Sequence, residues 1–135
     1  MGEAVVDELP VILLVEDEET LHDFLKDALT EAGFDLTLSV SADEALILLT
    51  SGVVNYRALV SDVNLRGRMN GWDLARQVRD IDPAFPVVYI CGDAADQWGA
   101  QGVPHSILVK KPFAPAQLVT AISQLLNVGS AGPSL

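Results

Sequence analysis

Five short apolar segments of the chain alternate with longer segments in which apolar residues recur every three or four positions. This alternation predicts five β-strands, each followed by an α-helix, and therefore a parallel sheet with helices on both faces. The predicted strands cover residues 11–15, 35–40, 58–62, 86–91 and 106–109. Continuously apolar strands such as the first suit the sheet centre, whereas the alternating second strand suits a position nearer an edge.

The predicted helices are bounded by recognisable start and stop signals. The first ends at Gly33, and the second opens at Ser41 with capping-box spacing to Glu44. The last begins at Pro115 and presents one apolar face. The fourth, over residues 94–100, is short and poor in apolar residues, so we expect it to be mobile or irregular.

The length of 135 residues suits one domain with its own core. We expect an N-terminal extension over residues 1–9, the domain over residues 10–127 and a disordered tail over residues 128–135, which has little apolar surface to offset its ordering entropy. Five alternations predict a doubly wound α/β fold with five helices and strand order 2-1-3-4-5.

The charge balance restricts the classes of partner. Nineteen acidic against eight basic residues give a formal net charge of −11, which repels nucleic acid and anionic membrane surfaces. Proteins or cations are therefore the expected partners. The single cysteine forms no internal disulfide, and the chain shows no signal peptide or membrane-spanning apolar run. These features predict a cytoplasmic protein.

Polar residues follow the predicted strands at the point where each strand ends. Glu16 and Asp17 follow the first strand, Asp62 ends the third, Cys91 ends the fourth and Lys111 follows the fifth. In strand order 2-1-3-4-5 the order reverses between strands one and three, and ligands bind at the carboxyl ends there. We therefore expect these five residues to surround one crevice.

Three carboxylates in one crevice repel one another, so either their pKa values rise or a hard cation neutralises them. Mg²⁺ suits such a site, because it prefers oxygen ligands and often bridges one or two carboxylates to a phosphate. A cation beside Lys111 favours the stabilisation of a transferring phosphoryl group. The central acid, Asp62, is then the natural nucleophile.

The combination of an acidic pair after strand one, Asp62 with Asn70 and Gly71 after it, and the sequence Lys-Pro-Phe over residues 111–113 is specific. On these motifs the chain, over residues 11–126, resembles the receiver domain of bacterial two-component response regulators. The resemblance implies a flavodoxin-like (CheY-like) fold. It also implies a non-enzymatic signalling protein that takes a phosphoryl group from a histidine kinase or histidine phosphotransfer protein, with Mg²⁺ required.

The resemblance also assigns roles to individual residues. It implies that Asp62 is the phosphoacceptor, that Asp17 binds the metal with Glu16 acting partly through water, and that the backbone carbonyl of Asn64 completes the metal ligands. Lys111 would pair with the phosphoryl oxygens, and the bond before Pro112 would be cis, while Lys110 would point elsewhere.

Three departures from the family pattern concern switching. Cys91 stands where receivers carry Thr or Ser, and its thiol is a weaker hydrogen-bond donor than a hydroxyl. Leu108 stands where receivers carry a switch aromatic, and Arg66 where they usually carry proline, in a loop one residue longer than usual. We expect phosphorylation to survive and the standard switch to be lost. Cys91 is also interpreted as an inert buried residue, and Arg66 and Arg68 as solvated loop residues.

Several functions are compatible with these residues. The leading hypothesis is a stand-alone receiver whose output is protein binding, through the face of the fourth helix, fifth strand and fifth helix, or phosphate storage. A pseudo-receiver that binds partners without phosphorylation is the alternative. An aspartyl-phosphate phosphatase of the haloacid dehalogenase type is remote, because Asn64 stands where its general acid would be. A flavodoxin-like electron carrier shares the predicted fold, but this chain has no Ser/Thr/Gly-rich phosphate loop after strand one.

Overall fold

The structure is a computed structural model that describes residues 9–130, with side chains described to residue 127. The strands are β1 (Val11–Val15), β2 (Asp35–Ser39), β3 (Tyr56–Asp62), β4 (Val87–Cys91) and β5 (Ile107–Lys110). The helices are α1 (Glu19–Glu31), α2 (Ala42–Ser51), α3 (Gly71–Ile81), α4 (Trp98–Gln101) and α5 (Pro115–Ser130), with a 3₁₀ turn at Ala95–Gln97 before α4.

The five strands form one parallel sheet in the order β2-β1-β3-β4-β5. This order confirms the predicted doubly wound α/β fold, with β2 and β5 at the edges. The direction of the strand order reverses between β1 and β3, so the carboxyl ends of these two central strands border the crevice that the fold provides for a ligand.

The core consists of two apolar layers, one on each face of the sheet, because alternate residues of a strand point to opposite faces. From β1, Leu13 and Val15 join the layer under α2 and α3, where the rings of Trp72 and Tyr89 meet edge to face at 4.6 Å. The other layer lies under α1 and α5 and includes Ile12 and Leu14 of the same strand. Burial on both faces explains the continuously apolar sequence of β1.

The fourth helix is as short and irregular as predicted, since a 3₁₀ turn precedes a single turn of α-helix. The fifth helix, α5, runs to Ser130 and so extends into the segment that was predicted to be a disordered tail. Each added helical residue gains a backbone hydrogen bond, so a helix can extend beyond the residues that form its apolar face. The remainder of the predicted tail, residues 131–135, and residues 1–8 of the predicted extension lie outside the described residues.

The start of α3 is packed directly against the end of β3. The side chain of Asn70 caps the helix through the backbone N–H of Asp73, and the Asp73 carboxylate accepts the backbone N–H of Asn70 in return. The Gly71 N–H donates to the carbonyl of Val63 at 2.8 Å. A Cβ atom on Gly71 would lie 2.8 Å from Val63 Cα and would collide with the carbonyl oxygen of Asp62.

Because neighbouring backbone cannot move away as a flexible side chain can, Gly71→Ala should destabilise the fold. We expect the free energy of unfolding in urea to fall by about 1–3 kcal/mol, the usual cost of overpacking. Gly99→Ala in α4 is the control, since a Cβ there meets no heavy atom within 4 Å and the change should be neutral or slightly stabilising. Equal stability of the two variants would contradict this role of Gly71.

Candidate functional site

The carboxyl ends of the strands bring the predicted site residues to one edge of the sheet. Glu16 and Asp17 directly follow β1, Asp62 is the last residue of β3, Cys91 is the last residue of β4 and Lys111 directly follows β5. Backbone hydrogen bonds fix these ends relative to one another: the Glu16 N–H donates to a carbonyl at the end of β2, and the Lys111 N–H donates to the Cys91 carbonyl at 2.8 Å.

Three carboxylates are crowded into this edge. Glu16, Asp17 and Asp62 each offer one oxygen, and these oxygens all lie within 4.8 Å of one another. Glu16 is fully buried and Asp62 is 5% exposed. Carboxylates are rarely buried unless a cation or several hydrogen-bond donors compensate their charge. The cluster therefore requires positive charge from a neighbour.

Lys111 supplies this charge from the end of β5. Its Nζ donates a hydrogen bond to Asp62 Oδ2 at 3.2 Å and lies 3.8 Å from Glu16 Oε1 and 3.9 Å from Glu18 Oε1. Burial lowers the pKa of Lys111, but the nearby carboxylates, Asp62 first, outweigh burial and leave the pKa above its ordinary value. Lys111 is therefore a cation shared among three acids, whereas Lys110 is exposed, as predicted.

Glu16 is the least well compensated of the three carboxylates. Its Oε2 accepts the Glu18 N–H at 3.1 Å, while Oε1 is buried and accepts no hydrogen bond from the described residues. Burial, followed by repulsion from Asp62, raises the pKa of Glu16 to about 7. Both alternatives drawn from the sequence, a raised pKa and neutralisation by a cation, are thus compatible with this side chain.

The donor set fits a hard divalent cation such as Mg²⁺. It consists of carboxylate oxygens within a few ångströms of one another, one of them an unsatisfied buried oxygen on Glu16. Asp17 and Asp62 would be the natural ligands on the open side, since both residues line the cleft. Asn64 also lines the cleft and donates its N–H to Asp62 Oδ1 at 3.3 Å. Its carbonyl as a metal ligand stays a prediction.

The cleft is open to solvent and strongly polar. It has a volume of about 420 Å³. Its lining residues are Asp17, Glu18, Asp62, Asn64, Arg66, Gly92, Asp93 and Lys111. A cleft of this volume is large enough for a phosphoryl group beside the Asp62 carboxylate.

The two residues expected to replace the usual switch lie on β4 and β5. Cys91 is fully buried, and burial raises the pKa of its thiol, so the thiol is neutral and a poor nucleophile. This state agrees with the interpretation of Cys91 as an inert residue. Leu108 is partly buried and packs against the same apolar layer as Cys91. The Lys111-Pro112 peptide bond is cis, as predicted.

Three contacts at the site were not predicted from the sequence. Glu18 lies near Lys111, and the Nε2 atom of His22 donates to the Glu16 carbonyl at 2.7 Å. Arg66, interpreted as a solvated loop residue, donates its backbone N–H to Asp17 Oδ2 at 3.1 Å. The Arg66 contact joins residues 49 positions apart in the chain, so no local sequence pattern could have indicated it.

Comparison with known proteins identifies many similar chains. The family model described as "Response regulator receiver domain" matches residues 12–123. A crystal structure of a response regulator receiver protein from Sinorhizobium medicae WSM419 is 45% identical, with a TM-score of 0.85 over 89% of this chain and 96% of that one. A putative response regulator from Chloroflexus aurantiacus J-10-fl is 26% identical, with a TM-score of 0.78 over 88% of this chain and 98% of that one.

Curated relatives include longer proteins. The transcriptional regulatory protein CusR of Escherichia coli (strain K12) is 30% identical over 122 residues, which are 89% of this chain and 52% of CusR. The C4-dicarboxylate transport transcriptional regulatory protein DctD of Rhizobium meliloti (strain 1021) is 29% identical over 82% of this chain and 24% of DctD. The chain thus spans about half or less of the length of these relatives. Among its described helices, none has the length and apolarity that a membrane span needs.

The raised pKa of Glu16 makes a pH-dependent contribution to stability. Since the pKa rises from an ordinary 4.5 to about 7 on folding, the folded chain holds a proton that the unfolded chain has lost between these pH values. The contribution of this proton to the free energy of unfolding is present in full below pH 4.5 and falls as the pH rises towards 7. Above pH 7 it no longer changes with pH. With a metal chelator present, Glu16→Gln should therefore gain stability relative to wild type by on the order of 2 kcal/mol between pH 4.5 and pH 8.

Urea denaturation at several pH values measures this difference. Glu19→Gln is the matched control, because Glu19 is an exposed residue of the first turn of α1. A Glu16→Gln difference that stays constant from pH 4.5 to pH 8 would show that the carboxyl group titrates normally in the folded chain.

Proposed function

Since the chain belongs to the response regulator receiver domain family, we propose that Asp62 accepts a phosphoryl group from a histidine kinase or a histidine phosphotransfer protein. Receivers of this family act in two-component signalling and interact with histidine kinases. The observation that carries the assignment to Asp62 is its contact with Lys111 at 3.2 Å, beside two further carboxylates within 4.8 Å.

The proposed reaction is a direct displacement at phosphorus. A carboxylate oxygen of Asp62 forms a bond to the phosphorus atom, and the bond from phosphorus to the donor nitrogen breaks, so that histidine leaves and an acyl phosphate forms. Lys111 donates a hydrogen bond to a phosphoryl oxygen and offsets its charge, as preorganised donors do at transition states. When Mg²⁺ is bound through Glu16, Asp17 and Asp62, it neutralises further negative charge on the phosphoryl oxygens.

Burial supports this role for Asp62. With only 5% of its surface exposed, Asp62 can be reached only through the cleft, so the donor must place its phosphoryl group there. The Asn64 N–H and Lys111 Nζ hold different oxygens of the carboxylate, Oδ1 and Oδ2, so the side chain is oriented before the donor arrives.

Intact-mass spectrometry after exposure to acetyl phosphate and Mg²⁺ tests the proposal. Wild type should gain one phosphoryl group, and Asp62→Asn should gain none. Lys111→Gln should gain it at a rate lower by roughly two orders of magnitude, the usual effect of removing one positioned donor. Lys110→Gln is the matched control and should react as wild type does, because Lys110 is exposed.

The pseudo-receiver is a second candidate, favoured by the neutral buried thiol of Cys91 and by the absence of an aromatic ring at Leu108. If wild type gains no phosphoryl group at saturating Mg²⁺, this candidate is preferred. In that case Asp62→Asn should leave partner binding unchanged, whereas a working receiver should lose its phosphorylation-dependent binding.

We further propose that a downstream protein partner docks on the edge formed by β5 and α5. No charged residue occurs in residues 112–135, although the whole chain carries a net charge of −11. An open groove runs between the two elements, lined by Ile107, Leu108, Val109, Lys110, Ala116, Gln117, Thr120, Ala121 and Gln124. Because α4 is one turn long, it contributes little to this face.

The coupling between Asp62 and this face should depend on Cys91. A threonine hydroxyl is a stronger hydrogen-bond donor than a thiol, so Cys91→Thr should strengthen the response of β5 to phosphorylation. We expect larger phosphorylation-induced changes in the backbone amide chemical shifts of residues 107–110 in Cys91→Thr than in wild type, measured by NMR. Cys91→Ala removes the donor and should not enlarge these chemical-shift changes. Equal changes in Cys91→Thr and Cys91→Ala would rule out the hydroxyl as the cause.

A further inference from the structure

The cleft contains a second cation, Arg66, in addition to Lys111. Arg66 lies in the loop between β3 and α3, four residues after Asp62, and lines the cleft. Its side chain is 85% exposed. Lys111 is hydrogen-bonded to Asp62, so the two cations are associated with different carboxylates of the site.

Arg66 contacts a single oxygen, Asp17 Oδ2, in two ways. The backbone N–H donates a hydrogen bond to this oxygen at 3.1 Å, and the guanidinium Nε lies 3.7 Å from it. The Asp17 side chain is 13% exposed and lines the cleft. The same oxygen belongs to a residue of the carboxylate cluster that fits a divalent cation.

The two contacts differ in what holds them in place. The backbone hydrogen bond persists whichever side chain residue 66 carries, so it ties the loop to Asp17 independently of charge. The guanidinium is held only by a long, solvent-exposed ion pair, and exposed pairs of this kind contribute little free energy. The side chain can therefore leave Asp17 at small cost while the loop stays anchored.

We propose that the Arg66 side chain competes with Mg²⁺ for Asp17. The proposal rests on the proposed metal site and concerns its affinity. The guanidinium balances the charge of Asp17 until a divalent cation displaces it, and it thereby weakens Mg²⁺ binding. Arg66 is thus a positioning residue for the carboxylate, not a metal ligand.

Isothermal titration calorimetry with Mg²⁺ alone, without phosphodonor, tests the proposal. Arg66→Gln should bind Mg²⁺ about two- to fivefold more tightly than wild type, the range expected from loss of one exposed ion pair. Arg66→Lys keeps the positive charge and should stay close to wild type. The gain in Arg66→Gln should shrink as salt rises from about 0.05 to 0.5 M, because screening weakens exposed pairs.

Arg68→Gln is the matched control for the general effect of removing a positive charge from this loop. Arg68 forms no hydrogen bond or ion pair with Asp17 among residues 9–127. The Mg²⁺ affinity of Arg68→Gln should therefore rise less than that of Arg66→Gln. Equal affinities of wild type and Arg66→Gln, or equal gains in Arg66→Gln and Arg68→Gln, would overturn the proposal.

These outcomes are separate from those that bear on the proposed function. If wild type binds Mg²⁺ and is phosphorylated on Asp62, but Arg66→Gln binds Mg²⁺ no more tightly, the receiver function stands and the competition fails. If neither wild type nor any variant binds Mg²⁺, both the metal site and the competition at Asp17 are overturned.

Discussion

The sharing of one lysine among two buried carboxylates and one exposed carboxylate is the interaction on which the site depends. Lys111 Nζ lies within 3.9 Å of oxygens from Asp62, Glu16 and Glu18, and it is held there by the backbone of β4 and β5. Without this charge, Asp62 and Glu16 would be two buried carboxylates with few donors, which is strongly unfavourable. One cation does not balance them fully, as the raised pKa of Glu16 shows.

This residual imbalance is consistent with a site for a ligand that brings its own charge. The apolar layers on both faces of the sheet supply the stability that the carboxylate cluster reduces. Because β1 and β3 pair with strands on both sides, backbone hydrogen bonds hold their carboxyl ends next to each other and keep the carboxylates close. The site therefore retains unfavourable electrostatic energy that a divalent cation would relieve.

The residues proposed for phosphoryl transfer and those proposed for switching and partner binding differ in how closely they follow the family pattern. Asp17, Asp62 and Lys111 match it at the ends of β1, β3 and β5. Cys91 and Leu108 depart from it, on the neighbouring strands β4 and β5. On the proposed function, the phosphorylation site and the docking surface lie on different residues, so one can change while the other is kept.

Sequence patterns by themselves predicted the five strands to within two residues and the polar residues at their ends, because apolar periodicity needs no knowledge of any loop. The strand order 2-1-3-4-5 followed from the doubly wound fold that five such alternations indicate. In this way Lys111 and Asp62, 49 residues apart, were expected to border the same crevice, and the structure brings them into contact. The contact of Arg66 with Asp17 has the same separation and was missed. Similarly, Glu44 accepts from Val40 and Ser39 instead of closing the capping box expected at Ser41. Only the tertiary structure decides such contacts, since loop and side-chain conformations depend on neighbours that local periodicity does not specify.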